Sequence, residues 1–438
     1  MSDDCMCTLN ETEFFDPINK QIVLEKSQWV DIYPVNTLSP TAPIEFYING
    51  SNDEFLDLNN TMLQIKVKVV NATSDAALTN DDTVAPVNNW LHSMFSDVSV
   101  SLAGTQIEGG NYHYPYKAYI SNLLTHNAGS KSTHLIPSGW YKDTADKFDI
   151  GTNANTGFTK RKALVATSKT VELCGPLLLD FFLQNKYLIH NIDVSLKLVQ
   201  SKPEFQTMLL TAATVAGRAT ALKVIISSAV LYVRRVKALP SKINMIEESL
   251  NLQNAVYPIQ RTEMVTFTIS NGSKSFNREA IFRGQMPKLM FVGFVRNDAF
   301  NGLYARNPFL FENLNINNMA IYREGESIPS RPLTPSFTDN LFAREYMSLI
   351  QALELFNKAD DVDISPDEFK LGYTIFGFNL TPDLNVSGHA QPIHDGNIRL
   401  DVQFVTALTA TINCIIMGIF DGRIEITKHR NIIQDSKI

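Results

Sequence analysis

The order of segments along this chain repeats at half its length. "FSDVSVSLAGTQI" (Phe95 to Ile107) and "FENLNINNMAIYREGESI" (Phe311 to Ile328) each run from a Phe, through an alternating strand, to G-x-x-I. Their glycines, Gly104 and Gly325, stand 221 residues apart (325 − 104) in a chain of 438. A helical stripe follows each. In "PYKAYISNLLTH" (115–126), Tyr116, Tyr119, Ile120, Leu123 and Leu124 recur with helical spacing, and Pro115 suits a first turn. In "TDNLFAREYMSLIQALELF" (338–356), Phe342, Tyr346, Leu349, Ile350 and Leu353 share a face, with Thr338 or Asp339 as the expected cap. Beyond the helices, "HNIDVSLKLV" (190–199) parallels "DGNIRLDVQFV" (395–405). Each half then closes on a long apolar strand with a basic end, at 222–237 and 412–430. A unit repeated in this way predicts two similar domains, in keeping with the size at which single cores stop growing.

The unit is built of strands. "TMLQIKVKVV" (61–70) sets Leu63, Ile65, Val67 and Val69 on one face, and "DVSVSL" (97–102) alternates likewise. Many short strands separated by turn residues indicate an all-β sandwich or barrel. The 26 Phe supply ample core material. The division expected is an N-terminal arm at 1–20, a first domain at 21–240, a linker at 241–256 and a second domain with its tail at 257–438. The linker carries a short helix with Ile243, Ile246 and Leu250, and Pro258 precedes the next strand. Long polar loops at 71–90 and 142–170 and the acidic stretch 360–368 read as insertions, either functional or disordered.

Charge and cysteine exclude several classes. The net charge is −7, against the basic balance of a chain that grips phosphates. "RRVK" (234–237) and the basic tail read as solvated strand ends. Cys174 and Cys414 lie in apolar runs as small hydrophobes, and Cys5 and Cys7 lack the second pair of a zinc site. "MSDDCMCTLNETEFF" has no apolar core, so no secretory signal is expected. The longest apolar runs, 289–295 and 414–420, fall far short of the ~20 residues of a membrane span.

Motifs for chemistry are missing: there is no G-x-S-x-G, H-E-x-x-H, Walker A or G-x-G-x-x-G. One stretch invites a metal reading, "NLTPDLNVSGHAQPIHDGN" (379–397). Asp383, Asn385, Ser387 and Gly388 open like a calcium loop, but position 12 is His394 where a bidentate Glu is needed, and a strand precedes it. His389, His394 and Asp395 are loosely spaced for zinc. A connection between strands fits its turn residues better. His126 and His134 are the other close pair. Asp360, Asp361 and Asp363 offer oxygen ligands for a cation, yet a solvated run or one paired with a neighbouring subunit is the expectation. "GSKS" (129–132) and "SNGSKSF" (270–276) read as turns. No catalytic, cofactor-binding or metal-binding residue is assigned.

Further segments carry a family pattern: "LYVRRVKALPS" (231–241), "YPIQRTEMVTFTI" (257–269), "GYTIFGFNLTPDL" (372–384), "GNIRLDVQF" (396–404) and, above all, 282–329 from "FRGQMPKLMF" to "IYREGESIP". From about Pro43 to Ile426 the chain resembles the double-jelly-roll major capsid proteins of Polinton (Maverick) elements and adintoviruses, densely in the second half and more loosely in the first. The resemblance implies two tandem eight-stranded jelly rolls, with short helices in the loops. It implies homotrimeric, pseudo-hexameric capsomers tiling an icosahedral shell around double-stranded DNA, without specific DNA binding or a membrane span. Penton and minor capsid proteins would be partners, the virion the location, and no cofactor or catalytic residue is carried over. Two other classes compete. A two-jelly-roll enzyme of the glycan amidase kind requires carboxylates clustered between the halves, which the sequence does not reveal. A carbohydrate-binding sandwich requires an aromatic platform, for which Tyr112 and Tyr114 in "NYHYPYKAY" are the exposed candidates.

Overall fold

Alternation decides which way each strand faces. In β3 (Glu54–Asn71) Leu63, Ile65, Val67 and Val69 are fully buried, while Met62 before them and Lys66 between them face outward. A slip of one residue would exchange the two sets, so the register is fixed by burial. The structure, a computed structural model, describes residues 21–434 except 22, 81, 211–219, 283, 357, 385 and 387–390. The expected arm at 1–20, with Cys5 and Cys7, lies outside the described residues.

The first half is two four-stranded sheets. One runs β1 (Leu24–Ile32), β8 (Leu222–Ala238), β3 and β6 (Val171–Pro176). The other runs β2 (Ile44–Ile48), β7 (Val194–Gln200), β4 (Phe95–Leu102) and β5 (Thr105–Glu108). The second half repeats both orders. Its sheets are β9 (Ala255–Ile269), β16 (Ile412–Ile426), β11 (Leu289–Arg296) and β14 (Ile375–Asn379), with a short fifth strand, Ile432–Gln434, on the end of β16, then β10 (Ser275–Arg278), β15 (Ile398–Phe404), β12 (Ile316–Arg323) and β13 (Glu326–Leu333). Each strand has its counterpart eight places on, and all these neighbours pair antiparallel. The chain is thus all-β, two eight-stranded jelly-roll sandwiches in tandem.

The repeated G-x-x-I is a repeated hairpin. Leu102 pairs Thr105 and Arg323 pairs Glu326, closing two-residue loops at Ala103-Gly104 and Glu324-Gly325. All four loop residues have positive φ, from 46° to 93°. That is the type I′ geometry whose twist matches the flanking strands.

Helices follow both hairpins, as the stripes predict. α1 (Tyr114–Thr125) buries ten of its 12 residues, including the whole predicted stripe. A second helix, α2 (Thr156–Val165), stands within 142–170, so that loop is ordered. Its Arg161 is fully buried and donates to the carbonyls of Pro86 and Tyr141 and to Asp143. Pro86 belongs to a short strand, Val84–Pro86, that orders the 71–90 loop by pairing with Thr207–Leu209. α3 (Pro240–Leu252) covers most of the expected 241–256 linker, and its Leu250 is buried. Pro258 lies inside β9 rather than before it. β9 is an edge strand, so the missing N–H removes no ladder bond. α4 (Ala343–Ala352) starts later than Thr338 or Asp339 would allow, with Phe342 at its N-cap. Ser336 and Leu341 bridge there, and Asp339 accepts from the Ser336 hydroxyl, which holds the segment as a turn. α4 lies across β14, where Gly377 leaves room for Leu349.

Candidate functional site

The two halves meet on α1. Its Tyr116 stacks on Phe300 at 5.3 Å and donates its hydroxyl to the Pro308 carbonyl at 3.1 Å. Tyr119 lies flat on Phe309 at 4.1 Å and against Trp140 on its other side at 5.4 Å. One helix of the first sandwich therefore packs into the core of the second. Tyr257, Ile424 and Ile426 of the second sandwich reciprocate by joining the first core.

Charges cross the same joint. Asp143 and Arg161 form a pair at 2.6 Å with neither side chain exposed. Asn307 donates to the second Asp143 oxygen and Tyr373 to its backbone carbonyl, both from the other half. The acidic stretch 360–368 is a clasp of the same kind. Asp360 accepts from Asn127, Asp361 from the Ala128 N–H, and Glu368 pairs with Lys142 at 2.8 Å. Asp363 lies 3.4 Å from Lys142, while Lys131 donates to the carbonyls of Leu123 and Val362. The stretch is thus not simply solvated: Asp360, Asp361, Asp363 and Glu368 have partners in the other half of the chain. A capping box between Ser365 and Glu368 holds its last turn. Burial pulls the Lys131 ammonium down to about 8.

The third cluster is the one that chemistry must be tested on. Lys117, on α1, pairs with Glu108 and, at 2.7 Å, with Asp180, and these side chains are 6–16% exposed. Asp180 also accepts from the Thr262 N–H of β9 at 2.6 Å, and Glu108 from the Asp180 N–H at 2.7 Å. A cleft of about 550 Å³ opens beside them, between β5 and β9. Carboxylates do gather between the halves, which corrects the sequence reading. Burial, and next the charge of Asp180, push Glu108 up to about 7, against the pull of Lys117. A carboxyl group poised there could exchange protons in principle. Here, however, both Glu108 oxygens are engaged, one by Lys117 and one by a backbone N–H. The arrangement is a strut in which one ammonium ties two carboxylates together.

The other candidates are dispersed. Asn385, Ser387, Gly388 and His389 lie outside the described residues. Asp383 accepts from Gln391, and the backbone carbonyl of His394 takes the Met286 N–H. His394 and Asp395 border a cleft of about 430 Å³ in which Lys288 is bound to Asp421 at 2.6 Å. The stretch joins β14 to β15, the place held in the first half by the β6–β7 connection. His126 and His134 have rings 5.6 Å apart, each beside the threonine that precedes it. Among the described residues, no three His, Cys, Asp or Glu stand together as metal ligands. Cys414 is buried and Cys174 half-buried. Tyr112 is exposed, but Tyr114 is buried with its hydroxyl 2.9 Å from His92, so no aromatic platform forms. The basic strand end is paired rather than solvated: Arg234 meets Asp57, Arg235 Glu54 and Lys237 Asp53. "GSKS" lies partly in a short helix, Ala128–Lys131.

Comparison with known proteins places the architecture. A chain of the Sputnik virophage structure matches with a TM-score of 0.66, at 13% identity over 97% of this chain and 91% of that one. The Faustovirus major capsid protein matches at 0.59 (9% identity; 94% and 92%), and the mavirus major capsid protein at 0.55 (13%; 97% and 93%). The fold is the double jelly roll. An uncharacterized protein of Caenorhabditis elegans is 24% identical over 427 residues, 95% of this chain and 99% of its own. No protein-family model matches. Among the described residues, no helix is long and apolar enough to cross a membrane.

Proposed function

We propose that this chain is a major capsid protein of the Polinton (Maverick) or adintovirus type. Three copies form a pseudo-hexameric capsomer, and capsomers tile an icosahedral shell around double-stranded DNA. The observation that carries the reading is the pair of like sandwiches locked by α1, an architecture that matches viral capsid chains along nearly its whole length. Two rolls per chain give three chains a roughly hexagonal outline, and a hexagonal tile packs without gaps. A relative of nearly the same length in an animal, beside the fold match to the mavirus major capsid protein, is compatible with an element resident in host DNA. Residues 21–240 and 257–438 serve as the two wall units, 241–256 joins them, and 1–20 acts as an arm toward neighbours. The net charge of −7 suits a shell that encloses DNA rather than neutralising it, with penton and minor proteins completing it. The chain acts as a structural protein, because Glu108 and Asp180 are committed to Lys117 rather than to a substrate.

Purification, mass measurement and electron microscopy test this. Trimers of ~147 kDa (three times 49.0 kDa) with a hexagonal outline are expected. A persistent monomer would sink the reading.

A further inference from the structure

The joint inside the chain is a template for a joint between chains. Inside, the first half presents α1 and the β6–β7 connection, and the second half receives them. Phe300 and Phe309 take the α1 tyrosines, and the open edge of β9 takes Asp180 at the Thr262 N–H and Lys186 at the Val256 carbonyl. Because the unit is duplicated, each half owns both kinds of surface. Two are left over: the α4 side of the second half and the β1 edge of the first.

Both leftovers are apolar and open. Among the described residues β1 pairs with β8 alone, and no strand lies along its other edge. Along it and β2 stand Trp29, Tyr33, Val35 and Tyr47, each 48–70% exposed. α4 buries only Glu345, Leu349 and Ala352, where α1 buries ten residues. On and beside α4, Leu341, Met347 and Phe356 are 39–68% exposed. The balance of exposed charge is opposite on the two sides: Glu25, Lys26, Asp31 and Glu45 on β1 and β2 leave a net −2 (1 − 3), and Glu326, Arg331 and Arg344 on β13 and α4 a net +1 (2 − 1). Aromatic side chains with a charged rim are what interfaces between proteins favour.

We propose that the α4 side of one copy packs on the β1–β2 edge of a second copy, repeating the internal joint head to tail. Resting on the trimer reading above, three such contacts close the ring. A heterologous contact of this kind closes only when each copy gives one face and receives the other.

Two variants separate the faces. One carries Trp29→Arg and Tyr47→Arg, the other Met347→Glu and Phe356→Glu. Mass is measured for each alone and for a one-to-one mixture. Each variant alone stays at 49.0 kDa, because one face of every contact is spoiled. The mixture forms a pair of ~98 kDa (two times 49.0 kDa), since each variant keeps the face the other needs, and goes no further. Unchanged circular dichroism and melting certify folding. Should a variant unfold, Tyr33→Arg and Leu341→Glu replace it and give the same readings. Trimers from either variant, or a mixture that remains monomeric while wild type assembles, would overturn this interface and leave the capsid reading standing. A wild type that remains monomeric overturns both.

Discussion

Replacing Lys117 with Met removes the one cation that lies between Glu108 and Asp180. Its ammonium sits 2.7 Å from Asp180 and bonds Glu108, where the three side chains are at most 16% exposed. Two carboxylates would then face each other with little water to screen them. Breaking a buried pair from one side costs ~3–5 kcal/mol. The cost must depend on pH, with a sign that can be worked out. Glu108 is pushed up from 4.5 to about 7, first by burial and then by Asp180. Between those values the folded chain keeps a proton that the unfolded chain has released. The contribution of Glu108 to stability is therefore fullest below pH 4.5 and falls as pH rises through 7, by ~3 kcal/mol at 1.36 kcal/mol per unit. Without Lys117 the shift grows and the loss deepens. Guanidinium titrations of Lys117→Met should show a loss of ~3–5 kcal/mol at pH 8 and a much smaller one at pH 5. Adding Glu108→Gln should recover most of the difference at pH 8. An equal loss at both pH values, or no recovery, refutes the reasoning.

Three further outcomes follow from the joint and the hairpins. Tyr119→Ala empties the space between Phe309 and Trp140 and should cost ~3–5 kcal/mol, splitting the calorimetric transition in two as the halves uncouple. Arg161→Met leaves Asp143 buried without its cation and should lower stability by ~3–5 kcal/mol in the same scan. Gly325→Val has open space around its new side chain but a φ of +93°, so its cost, read from chemical denaturation, is conformational alone at ~1–2 kcal/mol.

Local period made the architecture legible. The alternation of Leu63 to Val69, the stripe of Tyr116 to Leu124 and the paired Gly104 and Gly325 each report on neighbours within a few residues, and each settled into the expected element. What stayed hidden depends on residues far apart. Lys117 and Asp180 are 63 positions apart (180 − 117), and Lys142 and Glu368 are 226 apart (368 − 142), so no window contains both partners. One local signal does point to the cluster. Lys117 is the sole charged residue of α1, and a helix that buries ten residues must pair such a charge. The cap of α4 was misplaced because Ser336 drew Asp339 into a turn, a competition that composition alone does not decide.

The two helices show what duplication permits. A ring of six identical single rolls would have to use one surface for every joint, equally tight or equally weak. Two rolls in one chain free the joints to diverge. α1, "YPYKAYISNLLT", has no charge but Lys117 and buries ten of its 12 residues, as an obligate interface does. α4, "AREYMSLIQA", keeps Arg344 and Glu345 and leaves Met347 half open, which would suit the proposed joint between copies already folded. Permanent joints can bury aromatic stacks and closed ion pairs such as Asp143–Arg161, because their two sides never meet water apart once the chain has folded. A joint that assembles later must leave each free copy soluble, and that requirement limits how apolar the α4 and β1 faces can become. On this argument, charge removed from α4 strengthens assembly and lowers the solubility of the free chain together, whereas charge added to α1 prevents folding before assembly is reached.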